Sequence, residues 1–169
     1  RNFVKPDQRN NPFDINDAVG ESLQLLEGMF RAHTIRVDVE YCTKPLIGFG
    51  SASELKQVMI NLLSNARDAL VERNVVNPFI TIRLFCDDEY GAITIQDNGG
   101  GIDESVIERI FEPYFTTKAE GKGSGIGLYI SYSIIRTKMG GTIEASNVEG
   151  GTLFTITIPL CKDPFVDKV

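Results

Sequence analysis

Four stretches of this 169-residue chain combine residue types and spacings that could do chemistry. In Gly121-Lys122-Gly123-Ser124-Gly125-Ile126-Gly127-Leu128, four glycines on alternate positions run into an apolar helical pattern, Ile126 to Ile135. Glycine lets a backbone approach a ligand closely, and a helix N-terminus presents unpaired N–H groups and about half a positive charge. That combination predicts an anion cradle suited to phosphates, although a glycine-rich turn alone reads the same way. Asn61, Asn65 and Asp68 recur at i, i+4 and i+7, within about 60° of one another on a helix. Such a stripe is either an ordinary solvated face or a set of oxygen donors for a hard cation such as Mg²⁺, which keeps several waters and takes substrate phosphates as ligands. Asp97-Asn98-Gly99-Gly100-Gly101-Ile102 follows directly on a strand pattern. It can be a turn, since Asp and Asn start turns readily. It can also be a pocket floor, with a carboxylate accepting from a ligand amino group and glycines leaving room for a ring. In Ile110-Phe111-Glu112-Pro113-Tyr114-Phe115-Thr116-Thr117-Lys118, Phe111 suits a loop anchor on the core, while Lys118 and Lys122 could reach a phosphate.

The elements that position these stretches are legible from periodicity. Residues 1–12 read as a linker, and Val19, Leu23, Leu26, Met29 and Phe30 predict an amphipathic helix over 16–32. Ile35, Val37 and Val39 alternate with charged residues as in a half-buried strand. Ser51 with Glu54 is a capping box that opens a helix to about Leu70, its apolar side formed by Leu55, Val58, Met59, Leu62, Leu63, Ala66 and Leu70. Strands are predicted at Phe79–Cys86 and Ala92–Gln96, a short helix at Glu104–Ile110, and a loop from Phe111 to Gly123. A helix from Gly125 to about Lys138 ends at Gly140-Gly141, and two strands follow, Thr142–Ala145 and Thr152–Pro159. Helices interleave with strands joined by short turns, which predicts an α+β fold: a two-layer sandwich of a mixed, mostly antiparallel sheet with helices on one face.

The order Asn61-Leu62-Leu63-Ser64-Asn65-Ala66, Asp97-Asn98-Gly99-Gly100-Gly101-Ile102, Phe111-Glu112-Pro113-Tyr114-Phe115-Thr116-Thr117-Lys118, Gly123-Ser124-Gly125-Ile126-Gly127-Leu128 closely resembles sensor histidine kinases. The chain is similar to their catalytic and ATP-binding domain, of the superfamily shared with DNA gyrase, MutL-type repair ATPases and heat-shock chaperones. The resemblance covers about residues 13–160, leaving 1–12 as a linker remnant from an upstream dimerisation hairpin and 161–169 as a tail. It implies the Bergerat-type ATP-binding fold, with ATP and Mg²⁺ as ligands. It makes Asn65 the metal ligand, with Asn61 and Asp68 beside it, and Asp97 the acceptor for the adenine amino group. Gly99, Gly101, Ile102 and Phe115 would border the ring, and Thr152 would contact adenine through water. The segment from Pro113 to Ser124 resembles the ATP lid, and Lys118, Lys122, Gly123, Ser124, Gly125, Ile126, Gly127 and Leu128 would hold the phosphates.

Two departures from the pattern bear on chemistry. Gyrase-like members carry a general-base Glu where this chain has Asn61, which favours phosphotransfer over rapid hydrolysis and leaves Asn61 and Lys118 as the candidates for a catalytic part. Many histidine kinases carry a basic residue at the position of Asp68, so that phosphate contact passes to Arg67, Lys118 or Lys122. The Asn65-Ala66-Arg67-Asp68 and Phe115-Thr116-Thr117-Lys118 runs resemble the nitrogen-regulation sensors.

Composition sets the outer limits. A formal net charge of −6 disfavours DNA or RNA, whose binding depends on counterion release. An anion must then be held by local N–H groups and a metal ion rather than by the overall field. The chain opens without an apolar leader core and has no run near the ~20 residues of a membrane span, so a cytoplasmic location is expected, with any membrane attachment in parent regions. Cys42, Cys86 and Cys161 are widely spaced and read as free thiols. His33 is the single histidine and sits at a predicted helix end, so the phosphoacceptor histidine is expected on a separate hairpin, and a response-regulator receiver domain is the expected partner. The alternatives are a stand-alone ATPase or anti-sigma-type serine kinase of the same superfamily, and a degenerate module that binds protein only.

Overall fold

Side-chain caps start the two long helices. Asp14 accepts the Asn16 N–H at 2.9 Å ahead of α1 (Ile15–Ala32), and Ser51 accepts the Glu54 N–H at 3.3 Å ahead of α2 (Ala52–Glu72). The seven apolar residues predicted for α2 are all buried. The computed structural model describes residues 11–117 and 125–161. Its strands are β1 (Pro12–Asp14), β2 (Arg36–Glu40), β3 (Ile47–Phe49), β4 (Phe79–Cys86), β5 (Tyr90–Asp97), β6 (Thr142–Val148) and β7 (Gly151–Pro159), with α3 (Gly127–Ser133) between β5 and β6.

Five strands form one sheet in the order β2-β4-β5-β7-β6, while β1 and β3 pair antiparallel apart from it. The β2–β4 pair is parallel because α2 makes the crossover between them; the other neighbours in the sheet are antiparallel. Alternation divides the sheet into two faces. Ile80, Ile82, Leu84, Ile93, Ile95, Phe154, Ile156 and Ile158 are buried in one cluster with the apolar residues of α1 and α2. The opposite face carries Thr81, Arg83, Thr94, Gln96, Thr155 and Thr157. The fold is thus the predicted α+β sandwich. At one edge, β2 presents Arg36 and Asp38, paired at 3.1 Å.

Four details differ from the sequence expectation. β1 and β3, of 3 residues each, are too short to show a period. Their pairing begins at Pro12, and Asn11 accepts from the Gly50 N–H at 3.1 Å, so structure starts inside the predicted linker. The helix predicted at 104–110 is a single 3₁₀ turn, Ile107–Arg109. The helix predicted from Gly125 is α-helical only over Gly127–Ser133 and widens into a π turn over Ile134–Lys138. His33 caps the C-terminal end of α1 and is exposed, as expected for a helix-end histidine.

Candidate functional site

The second half of α2, the loop after β5 and the start of α3 enclose a cavity of about 470 Å³. From α2 come Asn65, Asp68 and Glu72, with Arg73 just past its end; from the β5 end, Asp97, Gly101 and Ile102; from β7, Thr152 and Phe154. Phe115, Gly125, Gly127 and Leu128 close the opposite side. The volume lies in the range of small-molecule sites, and the lining mixes apolar walls with a few polar groups.

Asp97 is the buried charge at the floor, 6% exposed. Its Oδ1 accepts the Gly99 N–H at 2.8 Å. Burial pushes its carboxyl above the ordinary value, against the opposing pull of the Gly99 and Thr152 N–H groups and the Arg73 guanidinium. Desolvation wins, so the site holds a carboxyl poised to gain from a further donor.

The glycine loop is fastened from several sides. Arg73, the C-cap of α2, donates from Nη1 to the carbonyls of Gly99 and Gly101, the latter at 2.9 Å. Asn98 Oδ1 accepts the Phe79 N–H at 2.9 Å, and the Gly100 N–H donates to the Gly150 carbonyl at 3.0 Å. The Asn147 amide bonds both backbone groups of Ile102 and donates to Glu104 Oε1 at 2.9 Å. Gly151 packs so closely on the end of β5 that a Cβ there would lie 1.7 Å from the Asp97 carbonyl oxygen. Arg73 and Asn147 were not singled out in the sequence. Each acts on a loop distant in the chain, and no local spacing signals it.

Asn61 is engaged with α3. Its Nδ2 donates to the Gly127 carbonyl at 3.1 Å and to Ser131 Oγ at 3.3 Å, tying α2 to the first turn of α3. Of the predicted stripe, Asn65 and Asp68 line the cavity and Asn61 does not. Arg67 directs Nε and Nη2 onto Asp68 Oδ1, at 2.9 and 2.8 Å. Gly99 and Ile126 flank the cavity rather than line it; Ile126 is the residue preceding α3. Gly125 has φ +71°, and its carbonyl accepts the Tyr114 N–H at 2.9 Å. A Cβ on Gly125 would meet the Tyr114 carbonyl carbon at 2.4 Å, so the glycine run and the aromatic box fit together only without a side chain there. Phe111 anchors its loop as expected, with its ring 5.6 Å from Tyr132 and 6.3 Å from Phe154. The Arg109 guanidinium lies 4.6 Å from the Phe115 ring centre. Lys118, Lys122, Gly123 and Ser124 lie outside the described residues.

A larger cleft, about 1000 Å³, runs between α1 and β2. Asp14, Asp17, Glu21 and Glu27 border it, which suits a polyphosphate poorly. Size therefore does not locate the anion site; the smaller cavity holds the convergent groups.

The chain resembles known proteins over most of its length. Residues 50–162 match the family described as histidine kinase-, DNA gyrase B- and HSP90-like ATPase. The chain is 43% identical over 156 residues to the two-component sensor PprA of Pseudomonas aeruginosa, covering 88% of this chain but only 16% of that relative. The solved catalytic domain of histidine kinase ThkA superposes with a TM-score of 0.77 at 31% identity, covering 89% of this chain and 95% of that one. A structure of ThkA in complex with the response regulator TrrA matches with a TM-score of 0.75 at 29% identity, covering 90% of this chain and 42% of that one. The chain belongs to the histidine kinase-, DNA gyrase B- and HSP90-like ATPase family, as the ATP-binding catalytic domain of a two-component sensor histidine kinase.

Proposed function

We infer that ATP occupies the cavity between α2, β5 and α3, and that its γ-phosphoryl passes to a histidine on a separate dimerisation hairpin, then to a response-regulator receiver domain. In that transfer the bond from the γ-phosphorus to the bridging oxygen breaks, a nitrogen–phosphorus bond forms, and ADP leaves. The observation that carries the reading is the buried Asp97 beneath a glycine loop pinned at Gly99, Gly100, Gly101 and Ile102. A carboxylate at that depth, with its loop held still, fits recognition of the adenine amino group. Gly101, Ile102 and Phe115 supply the ring walls, and Thr152 lies beside Asp97.

Asn65 is the residue proposed to hold Mg²⁺, and its oxygen donor beside Asp68 fits a hard cation. When bound, the ion neutralises phosphate charge. The residues of this chain position the nucleotide: α3 aims its N-terminal end at the cavity through Gly127, and the glycine run with Lys118 and Lys122 is proposed for the phosphates. Asn61 is an amide engaged with Gly127 and Ser131, so it offers no base for an attacking water. That supports transfer over hydrolysis. His33, the single histidine, lies at the C-cap of α1 and is followed by Thr34 and Ile35 rather than by an acidic residue, which supports an acceptor on another segment. The Asn65-Ala66-Arg67-Asp68 and Phe115-Thr116-Thr117-Lys118 runs support the nitrogen-regulation subgroup, and a cytoplasmic location is proposed with it. Among the described residues no helix is long and apolar enough to cross a membrane.

Calorimetric titration with a non-hydrolysable ATP analogue tests the site: one nucleotide binds saturably, and more tightly with Mg²⁺. No binding up to millimolar nucleotide overturns it. γ-Labelled ATP with the added hairpin tests the transfer: acid-labile label appears on the hairpin histidine. Acid-stable label on a serine, or fast turnover without label, overturns it.

A further inference from the structure

The parallel pairing of β2 with β4 brings together two cysteines that are 44 residues apart in the chain. Cys42 lies two residues beyond β2, Cys86 is the last residue of β4, and their sulfurs are 3.9 Å apart. Both are partly exposed. We propose that Cys42 and Cys86 form a redox-active dithiol that closes to a disulfide by exchange with a low-molecular-weight disulfide of the glutathione type.

Geometry permits the bond. The sulfurs already stand 3.9 Å apart, so a small shift of Cys42 brings them to the roughly 2.05 Å of an S–S bond. The β2–β4 register ends at the Glu40–Arg83 pair, so Cys42 lies past the ladder and can shift to bring the sulfurs together. Access is also present, because Cys42 lines the open cleft between α1 and β2, where Lys44 stands two residues away to meet a carboxylate of the small disulfide. Burial and the neighbouring Cys42 push the Cys86 thiol up, with Asp87 acting in the same direction and Lys44 against it. Cys42, which lines the cleft, meets the small disulfide first, and Cys86 resolves.

The electrons balance. The Cys42 thiolate attacks one sulfur of the small disulfide, forms a mixed disulfide and releases one small thiol. The Cys86 thiolate then attacks the Cys42 sulfur and releases the second. The protein loses two electrons and two protons, and the small disulfide is reduced to two thiols. The ring closure has a structural reach. Asn16, in the first turn of α1, accepts the Cys42 N–H at 3.1 Å and donates to the Cys42 carbonyl at 3.3 Å and the Lys44 carbonyl at 3.1 Å. Fastening Cys42 to the end of β4 thus ties the start of α1 to the central sheet, far from the nucleotide cavity.

The test incubates the folded, purified chain with oxidised glutathione, then alkylates free thiols and reads masses. Two of the three thiols are protected, the intact mass falls by two hydrogens, and digestion yields a Cys42–Cys86 linked peptide with Cys161 alkylated. In Cys86→Ser the reaction stops at a glutathione adduct on Cys42. Three alkylated thiols, a lasting glutathione adduct on the unaltered chain, or a linkage that forms only in denaturant would each overturn the proposal. Retained circular dichroism confirms that the fold was present throughout.

Discussion

Asn147 and Ile102 exchange two hydrogen bonds: the Ile102 N–H donates to Asn147 Oδ1 at 2.7 Å, and Asn147 Nδ2 donates to the Ile102 carbonyl at 2.6 Å. One side-chain amide satisfies both backbone groups where no strand neighbour does. Asn147→Ala is expected to cost about 1–3 kcal/mol, the range for removing a partner from such groups. Urea unfolding checks this as a lower midpoint at unchanged slope. A midpoint within error of the parent would show that water replaces the amide without cost.

Arg73 should matter more for binding than its place at a helix end suggests. Arg73→Ala frees the carbonyls of Gly99 and Gly101 and removes a positive charge acting on Asp97. Nucleotide affinity is expected to fall by about 0.5–1.5 kcal/mol, the net scale of one ordinary hydrogen bond, because Arg73 is exposed and acts on the nucleotide only through the loop. Titration calorimetry on a variant with parental circular dichroism measures it, and an unchanged dissociation constant would refute the clamp.

For Asp97, two substitutions separate recognition from folding. Asp97→Ala is expected to weaken ATP binding by about 1.5–3 kcal/mol. Stability follows the other direction. The folded carboxyl is raised above its ordinary 3.8, so folding holds the proton more tightly than the unfolded chain does. The stability this confers is complete below the ordinary value and is lost as pH rises through the raised one. Asp97→Asn removes that titration. Its stability relative to the parent should therefore rise across this window, as read from unfolding midpoints at successive pH values. A constant difference would mean that Asp97 is not shifted by burial.

Two glycines give opposite expectations. At Gly151 a Cβ would overlap the Asp97 carbonyl oxygen at 1.7 Å, so Gly151→Ala should cost more than about 4 kcal/mol or abolish folding. At Gly28, exposed within α1, a Cβ meets nothing within 4 Å. Gly28→Ala should stabilise by about 0.5–1 kcal/mol. Thermal melting of the pair checks both, and equal shifts would contradict the packing described.

Legibility in the sequence followed the range of the signal. Ser51 and the seven apolar positions of α2 could be read because a cap and a 3.6-residue period are local, and both were observed. The strands β4 and β7 were read for the same reason, whereas β1 and β3 hold too few residues to alternate. Asn65 and Asp97 were found through spacing and resemblance, and the fold places both at one cavity. Asn61 shares their spacing, but α3 packs on its side of α2 and takes its amide. Arg73 and Asn147 reach loops more than twenty residues away, and such pairings exist only once the chain has folded. Cys42 and Cys86 belong to the same class: the sequence shows two distant thiols, and only the parallel strand pair makes them neighbours.

The outer strand of the sheet has a consequence for solubility. An unpaired strand edge is a template for another chain, and proteins blunt it with charge. β2 holds that position with Arg36, Asp38 and Glu40 on alternate residues, Arg36 and Asp38 already paired at 3.1 Å. An apolar segment docking along this border would have to lie beside three ionised groups and strip water from them. The border therefore resists runaway polymerisation even though its backbone stays open.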